Sequence, residues 1–429
     1  MKYDSIIIGF GKGGKTLAGA LGSKGEKVAL IEKSNQMYGG TCINVGCIPS
    51  KFLITNGEKA AKKHDKVAFY RDTILKKREL IAKLRDKNYN KLDSLDTVDV
   101  IDGTAKFVSN HEIDVDGTIY QADKFFINTG GQSVVPNLPG IDNLDKVYFS
   151  DQLLDLEVLP AKLLIVGGGY IGLEFASMYS NFGSQVTVLQ DGERLIPRED
   201  QDIADEVQKV LEAKGVKFIL GGKADLNQAR KEFDGILIAT GRKPNTENLG
   251  LENTDVKLTD RGAVITDENL KTTADNIWAM GDVTGGLQFT YTSLDDYRVV
   301  LSALENQGKY EKSMRKNVPY SVFLSPSFSR VGINQQEAEQ MGLDFRVVKM
   351  PAGAIPKALV LGQSEGVLKA LIDNKTNKIL GAMLFCVDSH EVINIVKLAM
   401  DMDADYTVLK NMVFTHPTVS EALNDLFSL

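Results

Sequence analysis

At 429 residues, and with roughly 150 residues to a domain, the chain has room for about three domains. Hydrophobic residues make up 43% and charged residues 25%, proportions that allow buried cores and exclude a disordered polymer. Fifty basic against 57 acidic side chains leave a formal charge of −7, which argues against a general nucleic-acid binder.

No apolar run approaches the ~18 residues needed to cross a bilayer, so no membrane partner is expected. The first strand begins almost at Met1 (Tyr3-Asp4-Ser5-Ile6-Ile7-Ile8), which leaves no room for a signal peptide. Three cysteines, Cys42, Cys47 and Cys386, form no disulfide framework. These features together predict a soluble, cytoplasmic protein.

In chain order, an apolar run at 5–8 meets Gly9-Phe10-Gly11-Lys12-Gly13-Gly14. A helical stretch at Lys15–Lys24 and a second apolar run at Val28–Ile31, closing on Glu32, follow. This reads as strand, glycine turn, helix and strand, one βαβ unit. The pattern returns at Leu163–Val166, Gly167-Gly168-Gly169-Tyr170-Ile171-Gly172, a helix to about Asn181, and Gln185–Leu189. Both copies place glycines at the first, third and sixth positions. In both, the residue closing the second strand lies 18 positions after the third glycine: Glu32 from Gly14, Gln190 from Gly172. A single G-x-G-x-x-G is weak evidence; two in register with their strands predict two dinucleotide sites.

The first glycine of such a turn permits the bend, the second lets a pyrophosphate approach, and the third lets the helix pack on the strand. The phosphates then face a helix N-terminus. Glu32 suits a ribose with a free 2′-hydroxyl, as in FAD or NADH. At Gln190 the acid is replaced by a neutral amide. Arg194 and Arg198 nearby would attract a 2′-phosphate and Asp191 would oppose it, so NADH against NADPH stays open.

Residues 59–91 carry twelve Lys/Arg against four Asp/Glu, with Val67, Tyr70, Ile74, Ile81 and Leu84 at helical spacing. A solvated helix with one buried stripe is the expectation, ahead of an anion-binding patch. Residues 101–128 alternate around Asp116-Gly117, the signature of a hairpin. A strand ending in Met280-Gly281-Asp282 places an acid at its carboxyl end. Strands at Tyr320–Leu324, Phe345–Met350, Gly366–Ile372 and Ile379–Cys386, then a helix at Glu391–Met402, predict a third, α+β domain.

Cys42 and Cys47 stand with four residues between them within Gly39–Lys51. As a staple, so short a loop would contribute roughly 2 kcal/mol, and a cytosolic protein tends to keep a mere staple reduced. A zinc site lacks ligands, because His64, His111, His390 and His416 are scattered. A dithiol that cycles between redox states explains the pair best. Near the C-terminus, His416-Pro417-Thr418-Val419-Ser420-Glu421 places a carboxylate five residues after an imidazole, an arrangement suited to proton transfer beside a thiolate. Cys386 and His390 read as core or interface residues.

The whole chain resembles the pyridine-nucleotide–disulfide oxidoreductases, including dihydrolipoamide dehydrogenase, glutathione reductase and mercuric reductase. The resemblance rests on both glycine turns, GGTCINVGCIPSK at 39–51, ATGRKPN at 239–245, GD at 281–282 and HPTVSE at 416–421. Stretches at 273–298, 315–323, 386–397 and 422–429 are nearest to the family's bacterial reactive-chlorine-resistance branch, described as copper(II) reductases.

The resemblance implies an α/β fold of two Rossmann-like dinucleotide-binding domains plus a C-terminal α+β dimerisation domain. The expected divisions are 1–150 with 249–316 for FAD, 151–248 for NAD(P)H and 317–429 for dimerisation. FAD would be held by Gly9, Gly11, Gly14, Glu32, Thr41, Lys51, Ala105, Gly130 and Asp282. Glu32 would sit on its ribose, Asp282 on its ribitol, Ala105 near the adenine, and Lys51 beside flavin N5, paired with Glu174. NAD(P)H would meet Gly167, Gly169, Tyr170, Ile171, Gly172, Glu174, Gln190 and Gly241, with Tyr170 covering the nicotinamide site. Cys47 would be the sulfur next to the flavin and Cys42 the attacking thiol. His416 and Glu421 would serve the cysteines of the other subunit of a homodimer.

Two departures stand out. Only residues 222–234 separate Val216–Leu220 from Ile236–Ile238, where relatives carry a β-meander. Mercuric reductase, moreover, relies on a C-terminal cysteine pair and lacks HPTxSE, whereas this chain ends without a cysteine and has the motif. The expected reaction runs from NAD(P)H through FAD to the Cys42–Cys47 disulfide. Copper(II), bound transiently by those thiols, is the first-choice acceptor in oxidant defence. A dihydrolipoamide-dehydrogenase-like disulfide reductase is the alternative. A flavin-binding redox sensor is a third reading, although a sensor has little need of a second dinucleotide site.

Overall fold

The computed structural model describes residues 1–60, 62–305 and 309–429; parts of the basic stretch 59–91 and of the segment 249–316 fall outside them. The chain forms two compact units. One contains Met1–Phe52, Asp72–Val135 and Gly241–Arg315, the other Leu53–Arg71, Pro136–Thr240 and Lys316–Leu429.

In the first unit, the strand Lys2–Ile8 lies between Val28–Glu32 and Thr118–Ile127, with Val98–Asp102 and Ile277–Ala279 outside them, all parallel. The central strands are buried on both faces, which is why Ser5–Ile8 and Val28–Ile31 read as apolar runs rather than alternating ones. The helix Lys12–Ser23 starts directly at the glycine turn, three residues before the expected Lys15, and buries Gly13, Gly14, Leu17, Ala18, Leu21 and Gly22. The hairpin is as expected: Asp116 (φ 49°) and Gly117 (φ 90°) join Glu112–Val115 to Thr118–Ile127, the left-handed pair that a tight two-residue turn needs.

In the second unit a five-stranded parallel sheet runs Lys217–Ile219, Gln185–Leu189, Lys162–Val166, Gly235–Ile238, Val147–Tyr148. The short segment 222–234 is a crossover helix, Leu226–Glu232. Asp225 caps it by accepting the N–H groups of Asn227 and Gln228, and Leu226 and Ala229 are buried beside Ile236 and Leu164. The parallel sheet is thus complete without a meander. The same unit carries an antiparallel sheet ordered Tyr320–Val322, Phe328–Gly332, Ile379–Phe385, Val367–Asp373, Phe345–Pro351, covered by the helix Ser389–Asp401. The chain therefore has the expected fold class, two Rossmann-like dinucleotide-binding folds and a C-terminal α+β domain.

Among the described residues, no helix is long and apolar enough to cross a membrane. The basic stretch lies largely in the helix Lys66–Asp93. Tyr70, Ile74 and Ile81 are buried as expected, whereas Val67 is 62% exposed.

Candidate active site

The two glycine turns are built alike. Gly9 (φ +106°) and Gly167 (φ +115°) take a conformation closed to most side chains. A Cβ at either would lie 2.3 Å from the Asn128 carbonyl oxygen or 2.5 Å from that of Ala239. Each third glycine packs onto the first: a Cβ on Gly14 or Gly172 would meet the carbonyl oxygen of Gly9 or Gly167. At the strand ends, Glu32 Oε2 accepts the Phe10 N–H (3.0 Å) and Gln190 Oε1 the Gly168 N–H (2.7 Å), the matching residue of each copy.

Asn128, which motif reading did not single out, locks the first turn. Its Oδ1 accepts the Gly14 N–H (2.8 Å) and its Nδ2 donates to Met280 O (2.8 Å). Ser293 Oγ accepts the Gly13 N–H (3.2 Å). The Asp296 carboxylate accepts the Gly281 N–H (2.7 Å) and pairs with Arg315, fixing the turn that carries Asp282. Their positions at strand ends and on the helix Thr290–Leu304 gave no fixed-spacing signal. Burial pushes the carboxyls of both Glu32 and Asp282 above the usual range. Buried acids of this kind could accept hydrogen bonds from the hydroxyls of a ribose and a polyol chain, and the Gly9–Gly14 turn could receive a pyrophosphate, so the residues present fit FAD. Ala105 is buried in the strand Ala105–Ser109, two residues beyond Gly103, whose N–H donates to Glu32 O (2.9 Å). Gly130 takes φ +73° at the end of the strand Thr118–Ile127. Gly241 sits instead beside a ribbon of the first unit, its carbonyl accepting the Val134 N–H.

Cys42 lies in the short helix Thr41–Asn44, and Cys47 opens the helix Cys47–Ala60, which also carries Lys51. Cys47 is exposed and Cys42 partly buried. The loop between them closes because Gly46 has no side chain: a Cβ there would meet Thr41 O at 2.9 Å. Thr290 Oγ1 stands 3.4 Å from Cys47 Sγ. The hydrogen bond between the two sulfurs, with burial, pushes the Cys42 thiol far up, while Thr290 and the Lys15 ammonium pull it back. Cys47 is the first residue of its helix.

Lys15 is a second residue that motif reading missed. Its Nζ donates to Gly39 O (3.3 Å) and to Asn88 Oδ1 (2.6 Å), and burial and Lys12 push it down to about 8. Below that pH it is a cation near Cys42; above it the charge is lost. Lys15→Gln should therefore lower the small reactive thiolate fraction of Cys42 below about pH 8, where Lys15 carries its charge, and leave it unchanged above, whereas Lys15→Arg should preserve it. The check is the pH profile of Cys42 alkylation, read by peptide mass; identical profiles for all three proteins would refute the role.

In the second unit, Gly169 faces open space, with nothing within 4 Å of a Cβ placed on it. Gly169, Tyr170, Ile171 and Gly172 form the helix start, and Glu174 Oε1 accepts the Phe323 N–H (2.9 Å). The Tyr170 and Tyr320 hydroxyls both donate to Glu199, which is fully buried and also pairs with Arg330 (3.4 Å). Burial first, then Glu199, raises the Tyr170 phenol. Replacing Arg330 by methionine would leave that charge uncompensated. We expect a loss of about 3–5 kcal/mol, seen as a lowered thermal midpoint that Glu199→Gln in the same background partly restores.

His416 is exposed, with Nδ1 2.8 Å from Glu421 Oε2, and the His416–Pro417 peptide is cis. The bond from His416, and the Thr418 N–H, hold the Glu421 carboxyl below its usual range. Cys386 is fully buried, its thiol pushed up to about 12 by burial. His390 Nδ1 lies 3.0 Å from Ser327 Oγ. Among the described residues no group of three or more His, Cys, Asp or Glu could hold a metal ion.

Residues 3–296 match the model of the pyridine nucleotide-disulphide oxidoreductases, and residues 318–427 match that family's dimerisation domain. The chain is 51% identical to the probable pyridine nucleotide-disulfide oxidoreductase RclA of Escherichia coli K12, covering 100% of this chain and 99% of that one. It is 34% identical to mercuric reductase of Bacillus cereus, over 98% of this chain and 70% of the relative. Dihydrolipoyl dehydrogenase of Bacillus subtilis is 31% identical over 99% and 97%. A solved structure described as the Cu(II) complex of the HOCl-induced flavoprotein disulfide reductase RclA from E. coli superposes with TM-score 0.94 at 49% identity, covering 100% of this chain and 99% of that one. With two dinucleotide folds, a close cysteine pair and a matched C-terminal domain, the chain belongs to the pyridine nucleotide-disulfide oxidoreductase family and is an oxidoreductase that works with a flavin and a nicotinamide dinucleotide.

Proposed function

We propose that this protein is an FAD enzyme that uses a reduced nicotinamide dinucleotide to reduce a Cys42–Cys47 disulfide and passes the electrons to copper(II), in defence against oxidants. The observation that carries this reading is the contact between two thiols at a helix start, in a chain similar throughout to a flavoprotein solved as its Cu(II) complex. FAD, when bound, would supply the relay that accepts a hydride and delivers two electrons to the disulfide. Reduction of the disulfide takes two electrons and two protons. Two copper(II) ions then take one electron each, the disulfide re-forms and two protons leave. A thiolate pair suits this acceptor because soft sulfur ligands stabilise Cu(I).

In this reading Gly9, Gly11, Gly14, Glu32, Thr41, Lys51, Ala105, Gly130 and Asp282 hold FAD. Gly167, Gly169, Tyr170, Ile171, Gly172, Glu174, Gln190 and Gly241 serve the dinucleotide. The working divisions are 1–150 with 249–316, 151–248 and 317–429. The protein acts as a cytoplasmic homodimer in which His416 and Glu421 serve the partner's cysteines.

The second reading is a disulfide reductase of the dihydrolipoamide dehydrogenase kind, favoured by the oriented His416–Glu421 pair, since a dithiol product must be protonated. Steady-state NADH and NADPH oxidation by the purified holoprotein with Cu(II), lipoamide and oxidised glutathione separates them. Copper-dependent turnover supports the first; fast lipoamide turnover with negligible copper activity supports the second.

A further inference from the structure

We infer that the second dinucleotide site takes NADH and discriminates against NADPH. The inference rests on assigning the Gly167–Gly172 turn to the nicotinamide dinucleotide and concerns only the adenosine end of that site.

Sequence alone left the preference open because Gln190 is neutral and Arg194 is near. The structure shows what each side chain is engaged with. Gln190 Oε1 accepts the Gly168 N–H (2.7 Å), and Gln190 Nε2 donates to Asp191 Oδ1 (2.8 Å). The amide therefore takes over the turn-bracing role that the Glu32 carboxylate plays in the first copy. The negative charge of the strand end moves one residue on, to Asp191, held there by the amide. A 2′-phosphate would arrive where a carboxylate is already fixed; a free 2′-hydroxyl would find acceptors.

The arginine that would have to compensate points elsewhere. The Arg194 guanidinium donates to Gln201 Oε1 (3.1 Å), Pro197 O and Gln336 Oε1 (3.3 Å). Arg198 is exposed, and its carbonyl is tied to the C-terminal sheet by Asn334 Nδ2 (2.8 Å) and Arg330. The adjoining turn, bonded to this strand end through the Gly222 N–H and Gln190 O, offers Lys223 as its cation, but Glu193 reaches the same turn, 3.0 Å from a Cβ placed on Gly221. Asp191 and Glu193 thus stand against Lys223 on this turn, while Arg194 keeps its charge but directs its guanidinium to Gln201, Pro197 and Gln336; the carboxylate fixed at the strand end itself is that of Asp191.

The test is calorimetric titration of the holoprotein with 5′-AMP and 2′,5′-ADP, alongside NAD⁺, in low-salt buffer. We expect 2′,5′-ADP to bind on the order of tenfold more weakly than 5′-AMP, the scale of one or two partly screened like-charge contacts. Asp191→Asn should narrow that ratio several-fold. Equal or tighter binding of 2′,5′-ADP, or a ratio untouched by Asp191→Asn, would overturn the inference. Absence of binding by NAD⁺ and both mononucleotides would instead overturn the site assignment beneath it.

Discussion

Replacing both Cys42 and Cys47 with serine is expected to cut copper-dependent NADH oxidation by about a thousandfold or more, because residues that act as one unit cannot be removed without losing the whole route. Serine keeps the size and hydrogen bonding of the loop closed over Gly46, so the holoprotein should keep its yellow colour, its thermal midpoint and its affinity for the dinucleotide. Either single variant should cost nearly as much as the double one, since a disulfide needs both sulfurs. Retained copper turnover in the double variant would mean that electrons leave by another route, and the dithiol assignment would fall.

His416→Ala is the second large effect, and it is selective. A positioned imidazole contributes about 10²–10⁴-fold to proton transfer, and His416 is oriented by Glu421 at 2.8 Å. Lipoamide reduction should collapse by that order, while copper reduction, which transfers electrons and needs no protonated leaving thiolate, should largely survive. Glu421→Gln should follow the same pattern more weakly. Equal loss of both activities would refute the distinction between the acceptors; loss of copper reduction alone would reverse it.

Most of the architecture was readable because its determinants are local. Ser5–Ile8 and Leu163–Val166 are continuous apolar runs ending in glycine turns, and Asp116-Gly117 is a turn whose backbone angles only a few residue types accept. The cysteine pair was readable for the same reason, a fixed spacing within one loop. What escaped were the groups that meet these motifs from far along the chain. Asn128 reaches Gly14 across 114 positions and Ser293 reaches Gly13 across 280, distances at which no spacing rule operates. Phe328–Gly332 was missed as a strand because its buried positions include Ser329 and Arg330. Their polar groups are satisfied by Ser321 and Ser389, and by Glu199 and Glu337, so an apolar pattern never appears. The segment 222–234 holds a short capped helix, Leu226–Glu232, that completes the crossover.

The most direct test of the central claim is anaerobic titration of oxidised holoprotein with NADH, followed by alkylation and peptide mass analysis of Cys42, Cys47 and Cys386. The account predicts that Cys42 and Cys47 are joined and unreactive before NADH, and that both become alkylated, two thiols per chain, once it is added. Buried Cys386 should stay unlabelled until the protein is denatured. It also predicts that copper(II) restores the joined state. A Cys42–Cys47 pair that NADH leaves unchanged while the flavin is bleached would contradict it.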